Sequence, residues 1–409
     1  MNPWAVVLAD LRALRWIAWL APMLIAIAVA VGVAVSAQEA ALRQASARAA
    51  DDFDLLIGAP GSATQLTLTT IYLRPDALPL VEGALLNALA GDPRVAAAAP
   101  VAFGDVVHGH PVVGTTAAFA ARWGRIAPLE GRLFEREGEA VVGADVRMRL
   151  GDSLTPSHAT AGQRIGVERP EEAGHRHEGV HYVVVGRLPR LGTAWDQAIL
   201  VPIESVWETH GLGNGHAADD ALLGAPFDAA KVPGVPAIVV RPKAVADAYA
   251  LRAHYRQGGT MAFFPAEVLV SLYSVLGDLR DTIVVATVLN DVLVFAAITL
   301  LLLALAGLRR RRYALLRALG ASRSYILLTA WLGAAAILLT GCLGGLALGS
   351  AGAWLAAWFV QQRTDLALGI GLGVRELAQI GVLILVGSVL ALLPGLASFR
   401  TPVADALRS

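Results

Sequence analysis

Apolar and polar stretches alternate along this chain on a long scale. Continuous apolar runs cover about Trp16–Ala37, Thr282–Leu308, Tyr325–Val360 and Leu377–Phe399. A helix that crosses a bilayer needs roughly 20 such residues at 1.5 Å rise each. Each run therefore predicts a membrane-spanning helix, the second and third with residues to spare that tilt or project into the headgroup region. Ahead of them, residues 1–15 place Trp4, Val7, Leu8, Leu11 and Leu14 on one side. This suits a helix lying in the membrane interface or an extension of the first span.

The long polar stretch 38–281 is patterned differently. Gln38–Ala50 is alanine-rich and free of glycine and proline, which predicts that the first helix continues as a stalk. Val268, Leu269, Leu272, Val275, Leu276 and Leu279 repeat at helical spacing and predict a second stalk over Ala266–Asp281. Between the stalks, short β-rich runs predict strands at Phe53–Ile57, Thr67–Tyr72, Val95–Phe103, Val106–Val113, Ala140–Val142, Ile165–Val167, His181–Leu188, Ile199–Val201 and Val235–Arg241. Leu78–Leu89 and Ala244–Tyr255 read as helices, and the Gly- and His-rich Thr209–Asp220 as a loop. Helices alternate with strands near both ends while the middle is mostly β, which predicts two lobes, the outer inserted into the inner. The expected fold is a membrane protein with four transmembrane α-helices. A large α+β extracytoplasmic domain, 38–281, is inserted between helices 1 and 2 on helical stalks.

Charge sets the orientation. Arg12 and Arg15 flank the first run, six arginines fill 309–324, and Arg400 and Arg408 follow the last run. In the short loop 361–376, Arg363 and Arg375 are balanced by Asp365 and Glu376. The positive-inside rule puts both ends and 309–324 in the cytoplasm, and 38–281 outside, in a periplasm or at a cell surface. Val35-Ser36-Ala37 resembles a signal-peptidase site. The apolar stretch before it exceeds the usual signal-peptide core of roughly 7–15 residues, which favours an uncleaved helix. Lys and Arg together equal Asp and Glu at 33 each, so nothing in the balance points to nucleic acid. The single cysteine, Cys342, lies in an apolar run, leaving the outer segment without a disulfide or a thiolate metal site.

Within 309–324, Leu315, Leu316 and Leu319 form an apolar stripe among arginines. Gly320 reads as a helix stop and Ser322 as the next N-cap. Topology alone explains the arginines and leaves the leucines unexplained. In the third run, Gly341, Gly345 and Gly349 recur every four residues and predict close helix packing. Asn290 and Asp291 interrupt the second run near its outer end, where hydration makes them cheap.

All nine histidines fall in the outer segment. His175, His177 and His181 sit close together, and His108 and His110 form a second pair on one predicted strand. Either group offers imidazoles to a zinc ion, although neither spacing is a zinc signature and solvated loop histidines are the plainer reading.

Several segments together resemble the FtsX-like, MacB-type permease subunits of ABC transporters. Arg311-Arg312-Tyr313-Ala314-Leu315-Leu316-Arg317-Ala318-Leu319-Gly320-Ala321-Ser322 is similar to the family's cytoplasmic "RREIALLRALGAS" block, with Tyr313 where the family usually has Glu. Ala404–Arg408 after Pro402 resembles its C-terminal "P-x-x-A-L-R" ending. Leu129–Phe134, Gly138–Gly143 and Leu150-Gly151-Asp152 resemble its "L-x-G-R-x-F … E-A-V-V-G … L-G-D" segment. The resemblance implies a homodimer working with two copies of an ABC ATP-binding subunit, which docks on Arg311, Arg312, Leu315, Leu316, Arg317, Leu319 and Gly320. It implies mechanotransmission, in which ATP-driven motion of that partner reaches the periplasmic domain to export or extract a substrate, with a periplasmic or outer-membrane partner. A division-type scaffold that activates a cell-wall hydrolase uses the same architecture. The chain has no Gly-x-x-x-x-Gly-Lys-Ser/Thr loop, so ATP is expected to act through the partner, with no cofactor bound directly unless the histidines take zinc.

Overall fold

The structure, a computed structural model, describes residues 2–13, 15–74, 76–158, 177, 179–217, 222–275, 315–364 and 373–392, with residue 371 and scattered positions between 285 and 312. The chain divides into two compact units. One comprises Met1–Leu42, Leu276–Phe359 and Gly369–Ser409; the other comprises Arg43–Val275 and Val360–Leu368. It opens with helices α1 (Pro3–Ala13) and α2 (Arg15–Ala50). As the alanine-rich pattern predicts, α2 is unbroken to Ala50, and its last turns belong to the second unit.

The second, outer unit begins with β1 (Leu55–Gly58), α3 (Ala63–Tyr72), α4 (Ala84–Gly91), β2 (Val95–Val107), β3 (His110–Thr115) and α5 (Ala117–Ala120). It continues with β4 (Glu130–Gly131), β5 (Glu139–Val142), β6 (Ser153–Leu154), β7 (Ser157–His158), β8 (Tyr182–Arg187) and β9 (Ile199–Pro202). It ends with α6 (Ile203–Thr209), β10 (Ala237–Pro242), α7 (Val245–Tyr255), β11 (Met261–Phe263) and α8 (Pro265–Val275). The strands form one sheet in the order β11-β1-β10-β2-β3-β9-β5-β8-β4, with β6 against β8 and β7 against β2. Alternate residues of each strand reach opposite faces. Leu55, Ile57, Ile199, Val201, Ile238 and Val240 join α4, α6 and α7 in one core, whereas Leu56, Leu200, Ala237 and Val239 join α3, α5 and Phe53 in another. A sheet covered on both faces gives near-continuous apolar strands, which is why these runs were legible.

Three expectations are corrected. Thr67–Tyr72 is helical, inside α3. Ser62 caps it through Gln65 N at 3.2 Å, and the Thr67 and Thr69 hydroxyls donate to the Ala63 and Gln65 carbonyls. Threonines satisfied within the helix no longer favour a strand. Leu78–Leu89 is helical only from Ala84, because Val81 N and O both bond Val235 at 2.9 and 3.0 Å and hold the preceding backbone extended. Val106–Val113 is not one strand: β2 and β3 form a hairpin whose two turn residues, His108 and Gly109, have φ of 49° and 79°. Such paired positive values match the twist of a tight hairpin. The strand predicted at Ile165–Val167 lies outside the described residues.

The first unit also holds α9 (Arg323–Thr364) as far as Phe359, and α10 (Val374–Leu390). Among the described residues, Ala18–Ala41 and Arg323–Phe359 are long and apolar enough to cross a membrane, and Leu377–Leu390 is a shorter apolar helix. The expected second span and the pair Asn290 and Asp291 fall where only scattered positions are described, Asn290 and Asp291 not among them. Ile25, Val29 and Val33 of α2 pack with Ile337, Leu338 and Cys342 of α9 and Ile380 and Leu383 of α10.

Candidate functional site

The residues that carry the resemblance in the outer unit are structural. Arg132 makes a two-pronged ion pair with Glu139, which also accepts from Glu135 N at 2.8 Å. The guanidinium holds the Glu139 carboxyl down to about 2. Gly131 has φ 71°, and a Cβ there would lie 2.1 Å from the Val185 carbonyl oxygen, so only glycine lets this turn close on β8. Phe134 is buried, and the Asp152 carboxylate accepts from Arg149 N at 2.7 Å.

Where α2 enters the outer unit, Ala49 and Phe53 are buried with Phe119 and Trp195. Asp52 meets Arg122 at 2.9 Å and also pairs with Arg125. The Arg122 side chain is 2% exposed, and its guanidinium lies 4.8 Å from the Phe119 ring and 4.4 Å from the Trp195 ring. Burial pulls its pKa down to about 10 against the pull of Asp52.

On the arginine–leucine block, Leu315–Ala318 are helical and Gly320 (φ 93°) ends the turn. Ala321 N bonds the Leu316 carbonyl, and Ser322 Oγ accepts from Tyr325 N at 3.2 Å to start α9. Leu319 is 84% exposed and Leu315 50%, with Leu316 and Arg317 partly covered. Arg312 is engaged within its own unit, 3.1 Å from the buried Asp10 of α1. Arg311 and Tyr313 lie outside the described residues. Gly341, Gly345 and Gly349 face α2 so closely that a Cβ on each would lie 2.7, 2.6 and 2.8 Å from the Cβ of Ile25, Val29 and Val33.

The histidine groups expected from spacing are not the ones the fold assembles. His108 sits exposed in the hairpin turn, so it shares no strand face with His110. His110 Nδ1 faces the Gln197 carbonyl at 3.1 Å, and burial lowers its pKa. His181 Nδ1 pairs with Thr155 Oγ1 at 3.0 Å, and His175 lies outside the described residues. His177 instead meets three residues that spacing did not indicate: Asp105, His158 and His210. A bulge between Phe103 and Asp105 re-aims β2, and the β7 pairing sets Asp105 opposite His158. His177 N bonds the Pro156 carbonyl at 3.1 Å, and His210 caps the end of α6. Asp105 Oδ1 lies 3.3 Å from His158 Nδ1, 3.4 Å from His177 Nε2 and 3.6 Å from His210 Nε2. The Asp105 carboxylate raises the His210 pKa against desolvation.

The sequence matches the MacB-like periplasmic core domain over residues 23–257 and the FtsX-like permease C-terminal domain over residues 284–403. None of the curated proteins compared with the chain matches it. Among solved structures, the extracellular domain of the noncanonic ABC-type transporter YknZ from Gram-positive bacteria is similar at 12% identity and a TM-score of 0.29, over 51% of this chain and 98% of that one. With more than half its length in the core-domain match and most of the remainder in the permease match, the chain belongs to the MacB-type, FtsX-like permease components of ABC transporters.

Proposed function

We propose that this permease works by mechanotransmission. Two copies of the chain sit in the inner membrane, each with four spans and its outer unit in the periplasm. Two ATP-binding subunits dock on the 309–324 segment, and their closure is passed to the outer unit to move a substrate in the cell envelope. The observation that carries this reading is the leucine pair on the arginine-rich turn. Leu319 and Leu315, one helical turn apart, are 84% and 50% exposed. Solvent-facing leucines at i and i+4 among arginines are a surface awaiting an apolar partner. α2 supports the route outward, because this one helix carries residues of both units.

The test replaces Leu315 and Leu319 together by Asp and measures co-purification of the ATP-binding subunit from membranes. Each leucine presents roughly half or more of its side chain, worth about 1–2 kcal/mol when covered, so the pair of aspartates is expected to lower association at least tenfold. Association that survives the double substitution refutes this docking surface.

A further inference from the structure

We propose that the outer unit carries a binding site for a divalent transition-metal ion of the zinc class, formed by Asp105, His158, His177 and His210. A tetrahedral zinc site with ligand bonds of about 2.0–2.1 Å has ligand–ligand edges of about 3.3–3.4 Å. Asp105 Oδ1 stands 3.3, 3.4 and 3.6 Å from the three imidazole nitrogens, and all four ligand atoms lie within 4.8 Å of one another. A contraction of the wider edges around one ion closes the figure.

The hydrogen-bonding state of the cluster points the same way. The Asp105 side chain is 2% exposed, and apart from the three imidazoles 3.3–3.6 Å from Oδ1 neither of its oxygens has a hydrogen-bond partner among the described residues. His177 Nε2 is likewise buried, 3.4 Å from Asp105 and with no hydrogen bond among the described residues. A buried carboxylate with no donor is costly. His210 Nδ1 lies 2.8 Å from the Val206 carbonyl, so it must carry the proton and donate. Nε2 is then the atom turned toward Asp105, and in the neutral ring its lone pair is open to an ion. A cation between them satisfies both. The Val206 carbonyl is also the kind of outer support that fixes the tautomer of a metal-bound histidine.

The donor set selects the ion. Three imidazoles and one carboxylate suit zinc and its neighbours, whereas calcium and magnesium call for oxygen ligands throughout. His158 is 47% exposed, so an ion reaches the site from the surrounding solvent. Once bound, it would join β2, β7, the residue at 177 and the end of α6.

The experiment uses the full-length chain in detergent micelles, stripped with a chelator and titrated with zinc chloride against a chromophoric competitor. One zinc per chain at micromolar affinity or tighter is expected, and cobalt in its place should give the visible absorption of a tetrahedral centre. His158→Ala and His210→Ala should each weaken zinc at least about tenfold, while His108→Ala and His181→Ala leave it unchanged. His158 is exposed enough that its variant should keep the native far-UV spectrum, which separates loss of ligand from loss of fold. Affinity no tighter than millimolar overturns the proposal, as does micromolar binding that persists in both His158→Ala and His210→Ala.

Discussion

Removing the carboxylate of Asp52 should destabilise the outer unit more than removing the arginine it pairs with. Arg122 is 2% exposed and Asp52 22%, with 2.9 Å between them. In Asp52→Asn the guanidinium stays buried between Phe119 and Trp195 with its paired carboxylate gone and only the weaker pull of Asp196 left. Breaking a buried pair in this way typically costs about 3–5 kcal/mol. Because Asp52 keeps some access to water, the lower end applies, about 3 kcal/mol. Arg122→Met removes the buried charge and leaves Asp52 with Arg125, which is half exposed. The ion pair, the ring contacts and the 3.1 Å bond from Arg122 Nη1 to the Phe119 carbonyl are lost, together about 2 kcal/mol. For a unit of this size, each kcal/mol shifts the midpoint by about 2–4 °C, so Asp52→Asn should lower it by about 6–12 °C and Arg122→Met by about two-thirds as much. The double variant should fall well short of the sum, because the stranded charge is gone. Thermal unfolding of the full-length chain can be followed by tryptophan fluorescence, with Trp195 against the guanidinium as a local reporter. An Asp52→Asn loss no larger than that of Arg122→Met, or strict additivity in the double variant, refutes the reasoning.

Two further outcomes follow from the packing and the motif residues. Gly345→Ala should destabilise the α2–α9 contact by about 1–3 kcal/mol, since the new methyl meets Val29 Cβ at 2.6 Å and the Ala26 carbonyl at 2.8 Å. Gly352→Ala, with open space around its Cβ, should be neutral or slightly stabilising; denaturing-detergent titration of the two variants checks the contrast. Glu139 is held at about 2 against an ordinary 4.5 by Arg132, so its contribution is present above 4.5 and lost as pH falls toward 2. Unfolding midpoints of wild type and Glu139→Gln should therefore converge across that window, and a gap that stays constant to the acid end contradicts the assignment.

Features set by local chemistry could be read from the chain alone. Gly320 and Ser322 stop and restart helices wherever they stand, and glycines four apart mark one helix face. The sheet strands were legible because burial on both faces writes apolar runs. Thr67–Tyr72 misled because threonine content suggests a strand until the i−4 carbonyls that accept its hydroxyls are known. The pair His108 and His110 misled because a tight turn falls between apolar residues that read as one run. The cluster around Asp105 was illegible for a deeper reason. Its members come from β2, β7, the residue at 177 and the end of α6, and only the β2–β7 register and the α6 terminus bring them together. Among them only His177 stood out by spacing, and beside other partners.

The order of the sheet limits how anything in the outer compartment can recognise this unit. Its outermost strands on the main path, β11 and β4, are three and two residues long. An incoming peptide that adds itself as a further strand needs a longer row of free backbone groups than either offers. At these two edges strand addition is therefore disfavoured, both for a partner and for accidental self-association. Among the described residues, recognition at these edges falls to side chains and loops, where single substitutions can retune it without disturbing the frame.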